Sequence, residues 1–354
     1  MKETIKHVVS ASTIISRPVL KELVDNLKKA DPKLHKDVAT STLEILGQGH
    51  AVQFEEQISD INYHLGKVLI KEGTDLIAAA KVLQAIPLET GQRNYPVEKK
   101  VKIWVMIAQL YLEEERAMEA ERFINKAAPL TGQIKKESLL LRYKSAFVRN
   151  QDFNRKFSEA ALSYYRLAQT FPKEEDQMMA LESGLRCAVL SPAGPQRSRL
   201  LAMYYKDDKA PRLESYTVLE KMFLERILKK EEISAFSSTL LTHQKAQMAG
   251  GKTLLEQAVI EHNLLAASKV YNNISFSELA ILLDVTPELA EKIASKMISE
   301  ERLSGFINQT AKLLFFKKAT SNELTVWDQH IEHACSAVNN ILDKIAKKYP
   351  SYVN

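Results

Sequence analysis

The sequence predicts a mainly α protein: a series of paired helices, then a small helix–helix–hairpin unit, then one long terminal helix. Three observations carry that expectation. Glycine and proline number 11 each in 354 residues, well under the roughly 7% and 5% of ordinary chains, so few breakers interrupt helices. Apolar residues recur at spacings of three and four from about residue 19 to 300, with almost no alternating strand pattern. The helices also repeat. "LGKVLIKEGTDLIAAAKVLQAIP" (65–87) and "IAQLYLEEERAMEAERFINKAAP" (107–129) share one pattern: a helix, a polar or acidic turn, a small residue, an aliphatic run and a closing proline.

Ala79, Ala120 and Ala160 fall at equivalent points of the repeat, 41 and 40 residues apart. That period describes helix pairs of the tetratricopeptide or HEAT kind. A small residue there lets the two helices approach closely, and each pair buries its stripe only by stacking on its neighbours. The expected architecture is a right-handed helical-repeat solenoid over residues 1–185, whose extended face suits protein binding. A further helical bundle is expected over 186–270.

Past residue 270 the pattern changes. "NISFSELAILLDVTPELAEKIASKMISEERLSGFINQTAKLLFF" opens a helix with a capping box, Ser275 with Glu278 three residues on. A second helix starts with Thr286 at the cap and Pro287 at its first position, and Ala290, Ile293, Ala294, Met297 and Ile298 form one stripe. Gly305 ends it, and "FINQTAKLLFF" reads as a short hairpin. Two helices followed by a hairpin make a winged helix over 271–318.

The segment 319–354 holds the cleanest pattern. Leu324, Trp327, Ile331, Ala334, Val338, Ile341 and Ile345 alternate steps of three and four over three heptads. This is the narrow seam of a helix that packs along other helices, and these seven residues are the expected partner-binding set.

Composition narrows the function classes. Hydrophobic content of 45% and charged content of 26% suit a soluble folded chain, and no run of 18 apolar residues exists to cross a membrane. The amino terminus interrupts every apolar run with charge and offers no signal-peptide core. Cys187 and Cys335, 148 residues apart, form neither a disulfide framework nor a paired metal motif. A reducing compartment, cytoplasm or nucleus, is expected. A net charge of +5 spread over 49 basic and 44 acidic residues marks no dedicated nucleic-acid surface.

Three stretches resemble chemistry. "MAGGKTLLEQ" (248–257) looks like the end of a phosphate-binding loop, yet Ala246 stands where the first glycine belongs and no strand precedes it. A helix start at Thr253, with Glu256 completing a capping box, is the expected reading. His330, His333 and Cys335 suggest zinc, but Cys335 lies roughly 140° around the helix from His330. Glu113, Glu114 and Glu115 read as a solvated helix end. In the winged helix, Lys292 and Lys296 share their helix with Glu288 and Glu291 and are followed by Glu300 and Glu301, a mixed face that favours protein over DNA. No catalytic residue, cofactor or metal is therefore expected. A nucleic-acid-binding winged helix and an ATPase are the alternatives.

A helical array ending in a winged helix is similar to the PCI family, which supplies scaffold subunits to the proteasome lid, the signalosome and a translation initiation factor. "FEEQISDINYHLGKVLIKEGTDLIAAAKVLQAIPLETGQRNY" (54–95), "AVLSPAGPQRSRLLAMYYKDD" (188–208) and "HQKAQMAGGKTLLEQAVIEHNLLAASKVYNNISFSELAILLDV" (243–285) resemble the branch of that family found in the COP-nine signalosome. "IPLETGQ" and "QRSRLLA" separate it from the related lid branch, and a subunit of the proteasome lid or of a translation initiation factor complex is the alternative within the family. The resemblance implies a non-catalytic scaffold in the complex that removes a ubiquitin-like modifier from cullins, with the zinc isopeptidase in another subunit. It also implies an amino-terminal arm that meets a cullin-RING ubiquitin ligase, a winged helix that joins neighbouring subunits edge to edge, and a terminal helix in a shared helical bundle. Only 53 residues precede "FEEQ", so the arm is expected to lack a leading helix pair.

Overall fold

A computed structural model describes residues 7–8, 13–27, 32–47, 53–73, 75–89, 95–247, 251–317 and 323–348. The chain divides into two compact units. The first comprises residues 1–192, 196–223 and 229–258, and the second residues 193–195, 224–228 and 259–354.

The first unit is an array of helices: α1 (Thr13–Leu27), α2 (Pro32–Gly47), α3 (Glu55–Glu72), α4 (Leu76–Gln84), α5 (Val97–Glu113), α6 (Ala117–Ala127), α7 (Glu137–Phe153), α8 (Phe157–Ala168) and α9 (Glu174–Leu190). The shorter α10 (Pro195–Tyr205), α11 (Tyr216–Phe223) and α12 (Lys230–Thr239) follow. From α2 to α9 each helix packs on the next in sequence, and α5 also meets α7. This neighbour-to-neighbour order is what a solenoid requires. Ala79, Ala120 and Ala160, on α4, α6 and α8, are each 0% exposed. At the repeat's equivalent point a side chain no larger than methyl sits between paired helices.

The turn inside each pair has its own rule. Gly73 ends α3 in the left-handed conformation, φ +68°. Glu115 after α5 and Arg155 after α7 hold the same region at +56° and +59°. Arg116 N donates to Tyr111 O and Lys156 N to Gln151 O, while Glu115 N reaches Leu112 O and Arg155 N reaches Asp152 O. Those two bonds at each end form a Schellman motif, satisfying carbonyls the helix leaves open. Glu113, in the acidic run, closes α5 and pairs with Arg149 of α7 at 2.8 Å.

The stretch that resembles a phosphate loop starts a helix. Residues 248–250 lie outside the described residues. Gly251 has φ +77°, Thr253 Oγ1 accepts from Glu256 N at 3.2 Å, and Glu256 Oε2 accepts from Thr253 N at 2.9 Å. This is the reciprocal capping box, opening α13 (Leu254–Val270).

The second unit holds the winged helix: β1 (Asn273–Ser275), α14 (Phe276–Leu283), α15 (Pro287–Ser299), β2 (Gly305–Asn308) and β3 (Leu313–Phe316). Ser275 caps α14 by accepting from Glu278 N. Thr286 stands at the cap of α15 with Pro287 behind it, although its hydroxyl makes no capping bond. The sheet order is β1-β3-β2, all antiparallel. Gly305 is required at the start of β2, because a Cβ there would collide with the Phe315 carbonyl oxygen. The core gathers Leu279, Leu283, Ala290, Ile293, Ala294, Met297, Leu314 and Phe316. Ile298 is the half-buried flank of the same stripe. The terminal helix α16 spans Glu323–Lys348.

Candidate assembly interface

The helix α16 is 26 residues long, with Lys347 and Lys348 in its last turn where the carbonyl end of the dipole favours cations. Its seam lies open. Trp327 is 65% exposed, Ile331 57%, Val338 56%, Ile341 56% and Ile345 40%. Ala334 is exposed as well, and the Leu324 side chain falls outside the described residues. Leu342, 53% exposed, widens the stripe. It stands four residues after Val338, one helical turn along the same face, and a strict heptad reading passes it over. Single scattered apolar side chains are normal on a surface, whereas here they run along a single face of one helix.

The winged helix adds a second open feature. β2 is an edge strand, paired on one side only. Phe306 on it is 50% exposed and stacks on Phe315 of β3 with ring centroids 4.8 Å apart.

Beside the apolar core, a buried polar triplet on α13 ties distant segments into this unit. Glu261, His262 and Asn263 are 5%, 2% and 5% exposed, and each fixes a different piece of chain. Glu261 accepts from Ala193 N at 3.2 Å and from the Arg302 guanidinium, which in turn donates to Ala193 O at 3.1 Å. The His262 ring lies 2.8 Å from Arg226 O. Asn263 accepts from Leu228 N at 3.0 Å and donates back to Leu228 O at 3.3 Å. These bonds explain why residues 193–195 and 224–228 belong to the second unit. In the sequence "EHN" has the look of a solvated face; what buries it comes from 35 and more residues away.

His330, His333 and Cys335 are exposed on α16, and among the described residues no group of three His, Cys, Asp or Glu side chains is placed to hold a metal. Cys187 is fully buried, and burial first, then the neighbouring Asp152 carboxylate, pushes its thiol pKa well up. It stays a thiol at neutral pH, unsuited to nucleophilic attack. No described helix is long and apolar enough to cross a membrane.

Comparison with known proteins assigns the architecture. Residues 3–176 match the PSMD12/CSN4 N-terminal family model and residues 224–318 the PCI domain model. A COP9 signalosome complex subunit 4 from Dictyostelium discoideum is 45% identical over 355 residues, covering 100% of this chain and 89% of the relative. The chain belongs to the COP9 signalosome subunit 4 family. Subunit 4 proteins of Arabidopsis thaliana and Drosophila melanogaster are 42% and 41% identical, each over 97% of this chain and over 88% and 84% of their own lengths. The PCI match begins at residue 224, the first residue of the segment that His262 and Asn263 hold.

Proposed function

We propose that the chain is a non-catalytic scaffold subunit of a COP9 signalosome, acting in the cytoplasm and nucleus. The observation that carries this reading is the open apolar seam of α16 in a member of the subunit 4 family. Burial is worth roughly 25 cal/mol per Å² of apolar surface, so a stripe of five large side chains favours a helical partner strongly. A shared bundle of terminal helices from other subunits supplies that cover. The free edge of β2 with Phe306 beside it supports edge-to-edge contact between winged helices. The amino-terminal array, in this reading, is the arm that meets a cullin-RING ubiquitin ligase, whose modifier is cleaved by another subunit.

The test is reconstitution of the tagged full-length chain with the remaining signalosome subunits. The chain is expected to co-elute with them as one particle, and Ile331→Asp with Ile341→Asp is expected to be left behind. Failure of the unaltered chain to enter the particle sinks the proposal. Entry of the double variant at wild-type level refutes the bundle role alone.

A further inference from the structure

A cavity of about 480 Å³ in the array is lined by Lys99 and Lys102 from the first turns of α5, by Lys136 and Arg142 at the start of α7, and by Tyr63 of α3. Against those four cations its lining carries one carboxylate, Glu98. A fifth cation stands beside it, Lys67, whose Nζ is 4.4 Å from the Tyr63 ring centroid. Lys99 Nζ is 5.6 Å from the same ring and 4.9 Å from that of Tyr95.

The positive charge is only partly balanced. Lys136 pairs with Glu98 at 2.8 Å and Lys99 with Asp60 at 3.7 Å. Lys102 has no carboxylate partner among the described residues, and Arg142 donates to the neutral Gln109. The Tyr63 phenol registers the resulting field. Its burial acts to raise the pKa, yet the ammonium groups of Lys67 and Lys102 outweigh that and hold it below 10. Lys136 is also the cap residue of α7 and supplies no side-chain acceptor, so the helix adds its positive end to the same place.

We propose that this pocket binds an acidic peptide segment of a protein partner, its carboxylates engaging Lys99, Lys102, Lys136 and Arg142 while an apolar side chain rests on Tyr63 and Leu139. The spread of the four cations over two helices matches carboxylates strung along a chain rather than one phosphate held at a point. The internal partners of Lys99 and Lys136 are themselves carboxylates, so an incoming one replaces like with like. Nucleic acid fits poorly, because the ring faces of Tyr63 and Tyr95 that would stack a base carry Lys67 and Lys99. The pocket lies wholly within the array, so its ligand does not depend on the assembly role of α16.

The test is fluorescence anisotropy of a labelled synthetic peptide, glutamates flanking one leucine, titrated with the full-length chain. Saturable binding that weakens as salt rises is expected. Lys102→Glu with Arg142→Glu should weaken it at least ~tenfold, while Arg199→Glu with Lys206→Glu, an equal charge change at exposed positions of the same unit, should leave it within about twofold. Should the first variant melt early, Lys102→Gln with Arg142→Gln serves in its place, with the same loss expected in smaller measure. Equal loss in both pairs overturns the proposal in favour of general charge attraction. Tighter binding of a single-stranded oligonucleotide or of inorganic polyphosphate than of the peptide overturns it in favour of a phosphate ligand.

Discussion

The array and the terminal helix are written with the same spacing of threes and fours, and they dispose of their apolar faces in opposite ways. In the array the stripe closes within the chain: Ile103, Ile107, Leu112 and Ile124 are at most 2% exposed. On α16 the stripe has Trp327, Ile331, Val338 and Ile341 all more than half exposed. Periodicity therefore tells that a face exists and not what covers it. The array covers its own because each pair meets the next in sequence, whereas α16 follows the last strand and leaves its seam open.

The same substitution placed in each region separates the two cases most sharply. Leu112→Asp, putting a carboxylate at a site 1% exposed, is expected to cost several kcal/mol, a large share of the stability of the array. Ile331→Asp is expected to leave the stability of the isolated chain within about 0.5 kcal/mol of the starting value, as exposed sites do. A thermal melt followed by circular dichroism reads both, and a large loss from Ile331→Asp breaks the contrast.

A graded test asks how closely the array packs. Ala120→Leu forces extra carbons between α5 and α6 at a position with no exposed surface, and a loss of about 1–3 kcal/mol is expected from denaturant titration. In the second unit, Asn263→Ala strands the Leu228 amide and carbonyl. A loss of about 1–3 kcal/mol is expected there too, with faster amide exchange confined to 224–228. Unchanged exchange would show that Asn263 does not hold that segment.

At the turns the expected effect has the opposite sign. Glu115 and Arg155 hold left-handed backbone at the turns, so Glu115→Gly with Arg155→Gly relieves side-chain strain at the cost of a floppier unfolded chain. A net gain of up to about 1 kcal/mol is expected, read as a raised midpoint in urea.

These positions also show how far the sequence could be read. The helix pairs, the buried alanines, the reciprocal capping box at Thr253, the cap at Ser275 without its return bond from Glu278, and the winged helix follow from local patterns: spacing, a cap residue and its partner three positions on. The turn rule was legible only at Gly73, where glycine signals positive φ; Glu115 and Arg155 carry no such signal, and the Schellman bonds impose the conformation. β1 is three residues long and exists because β3, some 40 residues later, pairs with it. The burial of Glu261, His262 and Asn263 depends on segments distant in the chain, as does the basic pocket, whose cations come from two separate helix starts. On α16 the spacing of the exposed stripe was legible from Trp327 to Ile345, while Leu342 was passed over and the Leu324 side chain lies outside the described residues.

In the proposed assembly, the seam of α16 is open in the chain alone and closed by other helices in the particle. Hydrogen exchange over residues 323–348, measured for the isolated chain and for the reconstituted particle, addresses it directly. The amides of this helix are expected to be slowed at least ~100-fold in the particle, in keeping with the energy of burying its stripe. Equal exchange in the two states would contradict it.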